Sequence, residues 1–153
     1  ADVVVDPAER SPYKSWAEVA PWANPDEAPM QPPWMPGPPL RPQVVFECVG
    51  VPGVIDGILG AAQPQARIVV VGVCMEKDAI EPMFGINKEL NVQFVLAYTP
   101  AEFTETLGHI AEGRVSVEPL ITGKVGVEGV AGAFEELASP ERHAKILVEP
   151  WRS

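Results

Sequence analysis

Two glycines at the ends of apolar runs carry the clearest chemical signal in the chain. "ECVG" closes on Gly50, and "VVVGV" turns at Gly72. A residue without a Cβ lets the backbone approach a ligand closely. In open parallel sheets, ligands lie beyond the carboxyl ends of the strands. Either glycine alone would only make a strand-to-helix turn, whereas the pair on successive strands favours a nucleotide-type cleft. The other chemical signals are scattered. Cys48, Cys74, His109 and His143 show no C-x-x-C or H-E-x-x-H spacing, so no metal ligand set is expected. Cys48 falls in an apolar run and is expected to behave as a small buried hydrophobe. Cys74 follows the turn glycine and is expected to be partly exposed. His109 reads as a surface or boundary residue on a helix. His143, amid Glu141, Arg142 and Lys145, reads as a solvated edge. "MEKDAIEP" holds Glu76, Asp78 and Glu81, and a solvated charged loop is the expectation there. No G-x-G-x-x-G, P-loop or G-x-S-x-G pattern occurs. A complete dinucleotide fingerprint and a hydrolase elbow are therefore both missing.

The elements that must position these residues alternate between strand and helix patterns. "ADVVVDPAE" at the start reads as a buried strand, Val3 to Val5, stopped by Asp6-Pro7. Ser11 to Val19 suits a short helix. "QVVFECVG", "ARIVVVG" and "NVQFVLAYT" read as strands, and uninterrupted Val/Ile runs are those of strands buried on both faces. Between the first two of these, Pro52 to Ala62 predicts a helix, with Val54, Ile55, Ile58, Leu59 and Ala62 on one face. Thr99, Pro100 and Glu102 form a strong helix start with a capping box. Phe103, Leu107 and Ile110 are its expected inner stripe, and Gly113 its end. "VEGVAGAFEELAS" predicts a further helix, with Val127, Val130, Phe134 and Leu137 inward. "AKILVEP" predicts the last strand. Helical crossovers between strands imply a parallel, doubly wound α/β sheet.

One segment is foreign to this alternation. Pro21 to Pro42, "PWANPDEAPMQPPWMPGPPLRP", can be neither helix nor inner strand, because proline fixes φ and removes a donor. It reads as a surface loop of residues 21–42. The sharper alternatives are a ligand for a proline-recognising domain, or a lid in which Trp22, Trp34 and Met35 cover an apolar site.

Composition bounds the rest. A chain of 153 residues with 46% hydrophobic content suits one domain with a sizeable core. A formal charge of −10 repels phosphate backbones and anionic lipid, which argues against nucleic acid or membrane partners. The longest apolar stretch, within "RIVVVGVCM", is too short to cross a bilayer. Two cysteines make no disulfide framework. Without a leader at the start of this sequence, a cytoplasmic setting is the default expectation.

At "VVFECVGVPGVIDGILGAAQPQARIVVVGV", "EGRVSVEPLITGKVGVEGVAGAFEEL" and "HAKILVEP", the chain resembles the medium-chain dehydrogenase/reductase family, the zinc-type alcohol dehydrogenases and their relatives. The order and spacing of these stretches carry the likeness. It covers nearly everything but the proline-rich segment, which looks like an insertion. The resemblance implies a partial Rossmann-like cofactor domain, residues 1–153, lacking its first two strands. The glycine-rich turn, the ribose-binding acid and a GroES-like catalytic domain would precede it in a full family member. On matching positions it implies cofactor contacts at Cys48, Val49 and Gly50, at Val71, Gly72 and Val73, and at Val95, Leu96 and Ala97. Phe94 stands where the family usually has a small residue. The family's arginine near the final strand has no clear counterpart, since Arg142 and Lys145 are merely nearby. No catalytic residue or zinc ligand is carried over.

From that resemblance the chain is expected to be the C-terminal cofactor-domain portion of an NAD- or NADP-dependent oxidoreductase, inactive by itself. Any zinc would belong to the missing N-terminal domain. Losing two central strands would leave a gap of roughly 10 Å in the sheet. Either the Val3–Val5 segment moves across to pair with "VVFECV", or another chain supplies a strand. A homodimer through the edge strand near Asn91–Ala97 is implied. The rival expectation is a non-catalytic dehydrogenase-like remnant that serves in protein association.

Overall fold

The computed structural model describes residues 3–28, 30, 33, 40–139 and 141–152. The chain divides into two units, Ala1–Leu96 and Ala97–Ser153.

The first unit contains helix α1 (Pro12–Val19), strand β1 (Val44–Glu47), helix α2 (Val54–Ala61), strand β2 (Arg67–Val70), helix α3 (Pro82–Lys88) and strand β3 (Asn91–Phe94). Its strands form a parallel sheet in the order β1-β2-β3. Val45, Ile68 and Val92 share one row of the register, and Glu47, Val70 and Phe94 another. This is the expected α/β class, a partial Rossmann-like sheet. The apolar face of α2 packs as its spacing predicts: Ile58, Leu59 and Ala62 are buried with Ala66, Ile68 and Val70. Tyr13 and Trp16 of α1, in an edge-on pair 5.3 Å apart, pack against the same core, as do Val54 and Ile55. Fully burying each large aliphatic side chain contributes about 1.5–3 kcal/mol, so α2 and β2 hold this unit together.

Helix α3 and its Lys88 were not anticipated. Burial draws Lys88 in, and its Nζ donates to the carbonyls of Leu59 (2.8 Å) and Gly60 (2.6 Å) near the end of α2. These are carbonyls a helix C-terminus leaves short of partners, and a cation there also complements the helix dipole. Desolvation lowers the pKa of Lys88 below the ordinary lysine value.

Several strand expectations need correction. Val3–Val5 is not a strand, and Val4 is 86% exposed. A β-branched run becomes a strand only when a ladder takes its amides, and the described strand next to it in sequence, β1, pairs with β2 alone. The move of Val3–Val5 onto β1 is therefore not seen. A turn follows at residues 7–9, with the Asp6 carboxylate accepting from the Ala8 amide at 2.8 Å. Strand β1 is not buried on both faces: Val44 and Phe46 are exposed, and Val45 and Glu47 point to the core side. All four residues of β3 are exposed, and among the described residues β3 pairs only with β2. Among the described strands, β2, with neighbours on both sides, comes nearest to the continuous burial its sequence suggests.

Within residues 21–42, Pro21 and Leu40 form an isolated antiparallel bridge, and the Trp22 indole donates to the Leu40 carbonyl at 2.9 Å. Leu40 is buried, so this loop closes on itself and packs. Trp34 and Met35, named above as lid residues, lie outside the described residues.

The second unit contains helix α4 (Pro100–Ala111), strand β4 (Gly123–Val125), helix α5 (Val130–Leu137) and strand β5 (Ile146–Val148). Strands β4 and β5 pair in parallel. The capping box of α4 is present: the Thr99 hydroxyl accepts from the Glu102 amide at 3.2 Å, and the Glu102 carboxylate accepts from the Thr99 amide at 2.6 Å. Gly113 follows the helix with φ +71°, as a C-terminal glycine should. The apolar stripes are corrected. Phe103 and Leu107 of α4 are exposed, as are Val127, Phe134 and Leu137, and the buried residue of α5 is Ala133. Periodicity marks an apolar face but does not supply the layer that covers it. Strand β4 was not foreseen, being only three residues of "GKV" flanked by glycine.

Candidate functional site

The site is built from the carboxyl ends of β1 and β2. Strand β1 ends in Glu47, whose main chain and side chain organise both turns. Its carbonyl accepts from the amides of Val71 (2.8 Å) and Gly72 (2.9 Å), which ties the end of β2 to the end of β1. Its side-chain Oε1 accepts from the amides of Val49 (2.7 Å) and Gly50 (2.8 Å), which curls the β1 turn back over the strand end. Glu47 is only 2% exposed, and among the described residues no hydrogen-bond partner reaches its Oε2.

The two glycines face each other across this junction. Gly50 has φ +71°, which strains any L side chain, and a Cβ there would lie 2.7 Å from the Val73 amide nitrogen. A Cβ on Gly72 would collide with the Gly50 nitrogen and come 2.7 Å from Glu47 Oε2. The glycines are thus required by close backbone approach. Of the sequence-predicted residues, the structure brings Cys48–Gly50 and Val71–Val73 together. Val95 lies one strand over, its amide donating to the Val70 carbonyl at 3.1 Å. Leu96, the last residue of the first unit, is 89% exposed. Ala97 opens the second unit with φ +54°. Cys48 is exposed rather than buried, because the strand ends one residue before it. Cys74 is partly exposed, as expected.

The side chains around the junction carry further chemistry that the sequence reading undervalued. Asp78 is not simply solvated: its Oδ1 accepts from the Gly53 amide at 2.8 Å, at the start of α2. Asp56 accepts from the Glu81 amide at 2.7 Å. Both bonds pin the "MEKDAIEP" segment to α2. Tyr13 lies near Glu47, and burial together with that carboxylate's charge raises the phenol's pKa above its ordinary value. A hollow of about 230 Å³, bounded by Trp16, Ala20, Pro42, Gln43, Val44 and Val45, lies at the other end of β1 and contains no titratable group. It is not part of the glycine junction.

In the second unit His143 is not a solvated edge. Its Nδ1 is 3.2 Å from the Thr122 hydroxyl, and its Nε2 is 3.3 Å from a Glu136 carboxylate oxygen. The same hydroxyl accepts from the amides of Ala144 (3.0 Å) and Lys145 (3.3 Å). His109 pairs with Glu105 one turn away at 3.8 Å, the boundary position its sequence suggested. Among the described residues, no three His, Cys, Asp or Glu side chains come together as a metal ligand set. These residues do not fit a zinc ion. No described helix is long and apolar enough to cross a membrane.

Comparison with known proteins now decides the family. The model of the family described as "Zinc-binding dehydrogenase" matches residues 1–112. The chain belongs to the zinc-binding dehydrogenase family. An (R,R)-butanediol dehydrogenase of Neisseria gonorrhoeae is 32% identical over 109 residues, 70% of this chain and 30% of that protein. The D-xylulose reductase of Saccharomyces cerevisiae is 25% identical over 107 residues, 69% of this chain and 30% of its own length. Among solved structures, the 2R,3R-butanediol dehydrogenase of Bacillus subtilis matches with a TM-score of 0.62 and 28% identity, over 71% of this chain and 31% of that one. An alcohol dehydrogenase from Thermus sp. ATN1 shares the fold over 94% of this chain and 37% of its own, with a TM-score of 0.71 at 19% identity. This zinc-binding dehydrogenase chain therefore spans about three-tenths of the length of the curated relatives it matches. The glycine junction falls inside the matched region.

Proposed function

We propose that the chain is the C-terminal cofactor-domain portion of an NAD(P)-dependent zinc-type alcohol or carbonyl oxidoreductase, and that it is inactive by itself. Residues 1–153 form a partial cofactor domain in this reading, with residues 21–42 as an insertion. The observation that carries it is the glycine junction, where Gly50 and Gly72 bring two strand ends into contact beside the exposed Val49, Val71 and Val73. Cys48, Val49 and Gly50 and Val71, Gly72 and Val73 would line the dinucleotide, with Val95, Leu96 and Ala97 along its nicotinamide end. The bound cofactor would supply hydride transfer, and this chain's residues would position it. The names of the relatives favour a diol or polyol, or the corresponding ketone, as the whole protein's substrate. A cytoplasmic setting fits such chemistry. Zinc would be held by residues outside this sequence.

Calorimetric titration of the chain with NADH and with NADPH tests the reading. The expected result is no saturable binding in the micromolar range and no turnover of butanediol or sorbitol. Micromolar binding would show that this portion is a self-sufficient cofactor domain. A longer protein that carries the same 153 residues but no NAD(P)-dependent activity would overturn the oxidoreductase reading itself.

A second reading, association through β3, has its own observation. Among the described residues β3 pairs only with β2, and its outer edge continues into exposed Val95 and Leu96. Open apolar edges invite pairing with another chain. A homodimer through Asn91–Ala97 is expected, and a monomeric sedimentation profile at high concentration would count against it.

A further inference from the structure

The entry to the β4–β5 pair is a hydrogen-bond node whose donors and acceptors balance only for one form of His143. The Thr122 hydroxyl accepts from the amides of Ala144 (3.0 Å) and Lys145 (3.3 Å). A hydroxyl oxygen has two acceptor positions and one proton to give, so these amides fill it. Its own proton has two acceptors at the same 3.2 Å, His143 Nδ1 and the Lys145 carbonyl. That carbonyl already accepts from the amides of Thr122 (2.9 Å) and Gly123 (3.3 Å). Nδ1 is the acceptor left open, and it is open only on an imidazole whose hydrogen sits on Nε2. Nε2 lies 3.3 Å from a Glu136 carboxylate oxygen on α5, which accepts that hydrogen. With His143 neutral in this tautomer, every donor of the node has an acceptor. The ring packs on Gly123, where a Cβ would come 3.4 Å from its Nδ1 and Cε1.

A second proton on the ring upsets the count. Nδ1–H then points at a hydroxyl whose acceptor positions are filled, and the Thr122 O–H is left with a carbonyl that has two donors already. The cationic ring meanwhile gains charge attraction to Glu136. We propose that His143 is a proton-operated latch on the β4–β5 pair. Neutral, it fastens Thr122 to α5 through its two nitrogens. On taking a proton from solvent at Nδ1, it releases Thr122 and keeps Glu136, with no covalent bond changed. Histidine is the side chain suited to this, because its charge changes between about pH 5 and 8. The other charged groups on the surrounding elements are Glu135 on α5, Lys124 on β4, and Glu141, Arg142 and Lys145 along the ring's own segment. Lys124 is tied to Glu149 at 2.9 Å, and among the described residues Glu136 alone of the charged groups reaches an imidazole nitrogen of His143. Each strand of the pair has three residues, and two strands alone are marginal, so one node at the entry matters. The latch does not depend on the cofactor reading above.

The test uses the whole 153-residue chain, labelled for NMR of imidazole nitrogens and amides, at about pH 8 and about pH 5.5. A His109→Gln background removes the other histidine, which pairs with Glu105 on α4. At the higher pH, His143 is expected to carry its hydrogen on Nε2 and to show a bare Nδ1. At the lower pH both nitrogens should be protonated. The Ala144 and Lys145 amides should then lose roughly three- to tenfold in exchange protection, after correction for the intrinsic pH dependence of exchange. His143→Gln should abolish that pH dependence. Thr122→Val should leave both amides poorly protected at either pH, whereas Thr122→Ser restores the hydroxyl and should restore the response. A hydrogen on Nδ1 at the higher pH overturns the latch, as does a ring that stays neutral at the lower one. So does unchanged protection while the ring protonates, or a pH response that survives in His143→Gln. If Thr122→Val fails to fold, the wild-type tautomer and His143→Gln still decide.

Discussion

Helices α2 and α4 carry the same kind of sequence signal and meet different fates. Each shows apolar residues at the 3.6-residue period. In α2 that stripe, Ile58 and Leu59, is sealed against Ile68 and Val70. In α4 the corresponding stripe, Phe103 and Leu107, is open to solvent. Yet α4 is the better helix locally, with twelve residues, proline at its start and a complete capping box. Helix α2 has eight residues and no side-chain cap. One helix is held by its neighbours and the other by its own ends. Local signals and tertiary cover are therefore separable, and substitutions in the two units can show by how much.

The largest contrast lies in the stripes. Ile68→Ala should cost about 2–5 kcal/mol, since Ile68 is fully buried and leaves a cavity. Leu107→Ala should change stability by no more than about 0.5 kcal/mol, as at other exposed positions. Urea denaturation read by hydrogen exchange in each unit compares them. If Leu107→Ala proved as costly as Ile68→Ala, the α4 stripe would be covered in solution, and an associating partner would be the first explanation.

Glycine substitutions sharpen the same contrast. Gly72→Ala pushes a methyl group into the Gly50 backbone and Glu47, and overpacking of this kind costs about 1–3 kcal/mol. Gly108→Ala in α4 meets nothing within 4 Å. It should stabilise that helix by roughly 0.5–1 kcal/mol, because glycine is a poor interior helix residue. Thermal melts of the two variants should move in opposite directions, and a shift of both the same way would break the assignment of Gly72 to a close-packed junction.

What the sequence could and could not disclose follows from the same physics. Thr99, Pro100 and Glu102 were legible because a capping box is a contact between near neighbours. The α2 face and β2 were legible because continuous apolar residues have few other destinations. The fate of Val3–Val5, of β3 and of the α4 and α5 stripes was not, because burial depends on elements distant in sequence or outside it. At the site, Gly50 and Gly72 announced themselves as punctuation. Glu47 did not: an acid in "VVFECVG" reads as a break in an apolar strand, and only the positions of four amides show why it is buried. The signal was present, a charged residue in a run otherwise fit for a core, which needs partners to be tolerated.

Lys88 gives a smaller and pH-dependent effect in the first unit. Replacing it with methionine removes two hydrogen bonds to the end of α2 and should cost about 1–3 kcal/mol at neutral pH. Burial lowers its folded pKa below the 10.5 of an ordinary lysine. Between those two values the unfolded chain binds the proton and the folded chain does not. Stability from this residue therefore rises as pH climbs through the folded pKa toward 10.5. Wild type should gain on Lys88→Met over that alkaline window in urea titrations, after allowance for Tyr13. The Tyr13 phenol, its pKa raised, pulls the other way as pH rises above 10.0.

The capping box of α4 gives the effect with the cleanest sign. Hydrogen bonds from the Thr99 amide and hydroxyl hold the Glu102 carboxyl below its usual pKa. A carboxylate favoured in the folded state contributes fully above its unfolded value near 4.5, and that contribution fades as pH falls through the folded value. Acidification should therefore loosen the first turn of α4, read as faster amide exchange there. Thr99→Ala should cost about 1 kcal/mol at neutral pH by removing the hydroxyl that caps the Glu102 amide. Glu102→Gln should abolish the acid dependence yet keep an acceptor for the Thr99 amide, so its α4 should be less sensitive to pH than wild type. If acid loosened α4 in Glu102→Gln as much as in wild type, the dependence would belong to another carboxylate, and the view of α4 as a helix held by its own ends would lose its main support.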